Sequence, residues 1–102
     1  MLIYNTTFHV SNDDARNFVI FMNEMYIPEA VKSGELKNAR LARIISHKDE
    51  DSECFSVQFE TEDSASLHKW YASVGASLNE NMLKAFKNKV VGFPTLMEVI
   101  ME

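Results

Sequence analysis

A chain of 102 residues, 46% hydrophobic and 25% charged, is sized for one globular domain spanning residues 1–102, with a core modest enough to gain from a partner subunit. Its net charge of −5 excludes the clustered Lys and Arg that non-specific nucleic-acid binding needs. Its single cysteine, Cys54, excludes an intramolecular disulfide and suits a reducing cytoplasm. No basic-then-apolar opening marks a signal peptide, and no apolar run approaches the roughly 20 residues that span a bilayer.

Residues 2–10 alternate as a strand does, with Leu2, Tyr4, Phe8 and Val10 on one side and Ile3, Asn5, Thr7 and His9 on the other. Ser11, Asn12 and Asp13 are good helix caps. After them Ala15, Phe18, Val19, Met22, Met25 and Tyr26 recur at spacings of three and four, which predicts one apolar helix face. Pro28 biases Ile27 away from helix and is suited to start a second short helical turn, which Gly34 would close in a left-handed cap. Residues 36–46 and 52–61 predict two strands joined by a charged loop. Asp63 or Ser64 caps a long helix to about Lys87, with Leu67, Trp70, Tyr71, Val74, Leu78, Met82 and Phe86 on its apolar face. Gly75 is expected to break or bend that helix. Residues 90–100 predict a final strand, with Pro94 marking an edge or a bulge.

The order β-α-β-β-α-β is that of the ferredoxin-like α+β fold, an antiparallel four-stranded sheet with both helices on one face. The final strand is apolar on both sides, so the face away from the helices is expected to be covered by a second copy, giving a dimeric α/β barrel. Strands one and three are neighbours in this fold, which gathers Asn5, Thr7, Ser56 and Gln58 on one face. They form either an internal hydrogen-bonded network, a solvated face or part of a ligand pocket. The pocket alternative takes Asn5, Tyr26, Gln58 and Trp70 as ligand-binding residues for a small molecule. Trp70 and Tyr26 alternatively belong to the core.

No catalytic motif is present. His9 and His47 end two strands that flank a third, which predicts a separation of roughly 10 Å and no metal site. Cys54 reads as a small buried hydrophobe, no cofactor is expected, and neither nucleic acid nor membrane is an expected partner. Arg40 and Arg43 point to opposite faces, with Glu60 and Glu98 as candidate ion partners.

The segments YNTT (4–7), YIPEAVKSGEL (26–36), CFSVQFETEDS (54–64) and FPTLMEV (93–99) resemble the bacterial domain family of unknown function numbered 4286. The resemblance implies a ferredoxin-like dimer in a bacterial cytoplasm and no assigned activity. Tyr26 stands where the family often has a histidine. The wider dimeric α/β barrel superfamily includes cofactor-free monooxygenases and haem-degrading enzymes that use an Asn, a Trp and a His between sheet and helices. Asn5 and Trp70 match two of these by fold. No histidine falls on the later turns of the second helix, which disfavours haem degradation. Two functions therefore follow as expectations: a homodimeric small-molecule-binding module, or a small cofactor-independent oxygenase or isomerase with His9 or His68 as base. A third is a purely structural interaction domain.

Overall fold

The computed structural model describes residues 1–102. Strands β1 (Leu2–Ser11), β2 (Lys37–Arg43), β3 (Ser52–Thr61) and β4 (Val91–Glu98) form one sheet in the order β2-β3-β1-β4. Every neighbouring pair is antiparallel. Helical segments lie between β1 and β2 and between β3 and β4, which makes the α+β ferredoxin-like fold. Pro94 lies in β4, an outer strand, where a missing N–H leaves no sheet partner unserved. Strand β2 stops at Arg43, short of the expected Ser46, although the Ile44 N–H still reaches the Cys54 carbonyl at 2.9 Å. A bulge lies between Lys37 and Arg40, with Asn38 at φ 53°.

The first helix does not break before Pro28. The chain stays helical through α1 (Asn12–Phe21), a π turn at Met22–Tyr26 and α2 (Ile27–Val31), with Ile27 at φ −63°, ψ −46°. The wider turn just ahead of Pro28 accommodates the proline without a break. Gly34, at φ 89°, then reverses the chain in the left-handed cap expected of it.

The second helix is built the same way: α3 (Ser64–Trp70), a π turn at Tyr71–Gly75, and α4 (Ala76–Ala85). Asp63 caps it, its carboxylate accepting the Ser66 N–H at 2.8 Å. Gly75 neither breaks nor frays the helix. A Cβ there would lie 2.4 Å from a Trp70 ring carbon, so glycine is what lets the indole lie flat on the turn. Buried residues recur at fours along Phe18, Met22, Tyr26 and Ala30 in the first helix, after Ala15, and along Leu78, Met82 and Phe86 in the second, after Trp70 and Gly75. A regular helix would carry such a row around its axis by about 40° per step. One extra residue absorbed in a π turn restores the phase, from Phe18 to Ala30 in the first helix and from Trp70 to Leu78 in the second.

The core lies between helices and sheet. Phe8, Val10, Phe55, Val57 and Phe59 rise from the strands to meet Phe18, Met22, Trp70, Leu78 and Met82. The opposite face carries Ile3, Asn5, Thr7 and His9 of β1, paired in register with Met97, Thr95, Phe93 and Val91 of β4. Val91, Phe93 and Met97 are 50%, 55% and 40% exposed there. This face is apolar along β4 and polar toward the centre. No helix of the protein is long and apolar enough to cross a membrane.

Candidate functional site

A cavity of about 350 Å³ opens between the helix layer and the β1–β4 side of the sheet. That volume is at the lower end of the range typical of small-molecule pockets. Trp70 and Tyr26 form part of its wall, with Tyr4, Thr6, Tyr71 and Asn79 supplying polar groups among aliphatic neighbours. The sequence produces this wall in three ways. Even-numbered β1 residues face the helices, the second π turn presents Tyr71 beside Trp70, and Gly92 and Pro94 of β4 leave room where larger side chains would fill it.

Trp70 is fixed at two points. Its indole N–H donates to the Ala30 carbonyl at 2.8 Å, tying the second helix to the end of the first. Its ring meets Tyr4 edge-on at 6.0 Å. Trp70 is thus both a core residue and a cavity wall, whereas Tyr71 and Val91, half exposed, and the exposed Asn79 stand at its mouth.

Burial pushes the Tyr26 phenol well above its ordinary value, and the neighbouring phenols of Tyr4 and Tyr71 add to the shift. Tyr26 is therefore a neutral hydroxyl at physiological pH. Because its folded pKa exceeds the unfolded value of about 10, its contribution to stability is complete below that pH and is lost as pH rises through the folded value. Urea titrations at pH 8 and pH 11 are expected to show a smaller alkaline loss of stability in Tyr26→Phe than in the parent. An equal loss in both would contradict this placement.

The four residues grouped from sequence do not line one cavity. Tyr26 and Trp70 lie on the helix side, whereas Asn5 and Gln58 pair with each other in register on the opposite face. The reason is parity: an odd-numbered β1 residue cannot reach the helix side. On its own face Asn5 belongs to an internal network. The Ser56 hydroxyl donates to Asn5 Oδ1, and the Asn5 amide donates to Thr7 Oγ1 at 3.3 Å. Of the two candidate bases, His9 faces away from the cavity and His68 is exposed on α3. Neither lines the cavity, and no other imidazole or carboxylate does. Arg43 pairs with Glu53 at 3.2 Å and lies over the Phe55 ring, not with either carboxylate expected from sequence.

The separation expected for His9 and His47 is also corrected: their ring centroids are 5.5 Å apart. Counting strands places the backbones correctly but misses the turn after β2. Its His47 N–H reaches back to the Ile44 carbonyl at 3.4 Å, and the imidazole folds over Cys54 on β3. Cys54 is buried, yet it lies on the face away from the helices and outside the apolar core.

Solved structures share the fold across nearly the whole chain. A dimeric ferredoxin-like protein from an uncultured marine organism matches with a TM-score of 0.75 and 18% identity, over 99% of this chain and 96% of that one. A variant of MhuD with two manganese protoporphyrin IX bound per active site matches at 0.71 and 11%, over 100% and 97%. A variant of SnoaB, a cofactor-independent oxygenase from Streptomyces nogalater, matches at 0.65 and 12%, over 99% and 94%. At these identities the likeness is one of fold. No curated protein matches the chain. A family model does match, over residues 1–100, and the chain belongs to the family described as Domain of unknown function (DUF4286).

Proposed function

We propose that this single domain is a homodimeric, cytoplasmic module that binds a small, flat, mostly apolar molecule in the cavity beside Trp70. The observation that carries the reading is the cavity itself: a roughly 350 Å³ space with an indole wall, three phenols, a hydroxyl and one amide. Aromatic faces suit a flat ligand, and neutral hydroxyl and amide groups suit its carbonyl or hydroxyl oxygens. Trp70 is the chain's one tryptophan, so its emission reports on the cavity directly. Menadione and a panel of other flat aromatic molecules are the probes. Saturable quenching together with a raised Tm is expected, and both are expected to weaken in Asn79→Leu. If no member of the panel gives either signal, the cavity is not a ligand site.

The half-exposed apolar residues of β4 support a two-fold contact through the face away from the helices. Four strands about 4.8 Å apart and about eight residues long present a face of about 500 Å² per protomer, which meets the roughly 1,000 Å² total of a stable contact. A dimeric ferredoxin-like neighbour is in keeping with it.

A second reading is a cofactor-independent oxygenase, favoured by the shared fold with SnoaB and by a cavity between sheet and helices. With no lining imidazole or carboxylate, phenol and amide groups would orient an already acidic substrate. Oxygen uptake with an anthrone, faster than without protein and slowed in Asn79→Leu, would support it. Uptake at the uncatalysed rate would exclude it for that substrate.

A further inference from the structure

The side-chain cluster at the far end of the other sheet face has no part in the cavity. Cys54 Sγ lies 3.2 Å from His9 Nδ1 and 3.2 Å from His47 Nδ1. The ligand atoms of all three residues fall within 4.8 Å of one another. Cys54 is only 3% exposed, and the two half-buried imidazoles cover it. The Phe93 ring meets His9 edge-on at 5.5 Å and makes an apolar flank.

The hydrogen-bond pattern fixes one tautomer. The Ser52 hydroxyl donates to the Asp49 carboxylate at 3.1 Å, and a carboxylate only accepts. The one proton of that hydroxyl is then committed. Ser52 Oγ must accept from His47 Nε2, 2.9 Å away, so Nε2 carries the hydrogen. In the neutral imidazole, His47 Nδ1 is then the acceptor nitrogen, 3.2 Å from Cys54 Sγ. This is the state in which histidine ligates metals, with its second nitrogen held through a relay to a carboxylate.

A single thiol proton serves only one of two imidazoles, whereas a cation serves both and the sulfur together. Around a tetrahedral zinc ion, Zn–S near 2.3 Å and Zn–N near 2.05 Å set S···N at about 3.6 Å. The two S···N separations of 3.2 Å need a few tenths of an ångström of lengthening, and small rotations of the imidazoles bring the two nitrogens, within 4.8 Å of one another, toward the roughly 3.3 Å of a tetrahedral site. The Asp49 carboxylate, one hydroxyl away from His47, favours a cation over an anion at the cluster.

We propose that His9, His47 and Cys54 bind a borderline-soft divalent cation, zinc foremost, through two imidazole nitrogens and a thiolate, with the fourth position left to water or an exogenous ligand. Two nitrogens and one sulfur match the ligand preference of zinc, and three protein ligands leave the position open that exchangeable zinc sites keep. Binding releases the thiol proton to solvent. The site lies across the sheet from the cavity and stands independently of the ligand reading given for it.

Cobalt(II) is the spectroscopic probe, added to metal-free, reduced protein. A thiolate-to-cobalt charge-transfer band is expected to saturate at one equivalent per chain and to disappear when zinc is added. His9→Gln and His47→Gln are each expected to weaken binding at least about tenfold, and Ser52→Ala about tenfold through loss of the relay. His68→Gln, on a distant helix, leaves binding unchanged. Cys54→Ser should abolish the band; if that variant is misfolded by circular dichroism, the His47→Gln titration decides, because His47 lies outside the strands. Absence of a saturable band overturns the site, as does a band undiminished in both His9→Gln and His47→Gln.

Discussion

Met97→Lys is expected to convert the protein from two chains to one, while Leu96→Lys leaves the dimer intact. The two neighbours are opposite in parity. Met97 pairs with Ile3 on the face away from the helices, and Leu96 pairs with Tyr4 on the helix side. Both are at least 40% exposed in the single chain, so neither substitution disturbs a packed core. A two-fold contact through the open face would bury Met97 of each protomer. An unpaired ammonium there costs at least about 3 kcal/mol per protomer, hence about 6 kcal/mol and roughly four decades in dissociation constant. Light scattering and native mass spectrometry at micromolar concentration read the outcome. A parent protein that stays single-chained as concentration rises would overturn the dimer, and dissociation by Leu96→Lys alone would put the contact on the wrong face.

Trp70→Ala is expected to remove about 3–5 kcal/mol of stability, a large share of the roughly 5–15 kcal/mol available to a domain of this size. Trp70 is 1% exposed and ties the two helices together through the bond to Ala30. Losing it opens a hole between Tyr4 and Phe59 and orphans a buried carbonyl. Trp70→Phe keeps much of the volume and is expected to lose about half as much. Gly75→Ala tests the same packing from the other side, since its new methyl group must displace the indole; about 1–3 kcal/mol is expected. Urea denaturation followed by circular dichroism measures all three. A Trp70→Ala loss below about 1 kcal/mol would mean that the indole is not the tie between the helices.

The fold was legible because sheet and helix each impose a period on the chain. Alternation in residues 2–10 separated Tyr4, Phe8 and Val10 from Asn5, Thr7 and His9, and the structure keeps that division. It also predicted that Asn5, Thr7, Ser56 and Gln58 share a face, and the first three share hydrogen bonds there. Joining Asn5 to Trp70 failed because both were classed as pocket residues by chemistry, whereas strand parity had already put them on opposite sides. The His9–His47–Cys54 cluster was illegible for a different reason. The reach of His47 depends on how a charged loop with no turn signature folds back after Arg43, and no period governs that.

The π turns bear on how chain length can vary in this fold. Deleting one residue within Tyr71–Gly75, Ala72 for example, would turn that segment into ordinary α-helix without breaking it. Leu78, Met82 and Phe86 downstream would stay in phase with the sheet, because the residue lost is the one the π turn had absorbed. In aligned sequences, then, a one-residue gap in this helix is a π turn exchanged for α-helix rather than a shorter loop, and it is expected without any compensating insertion.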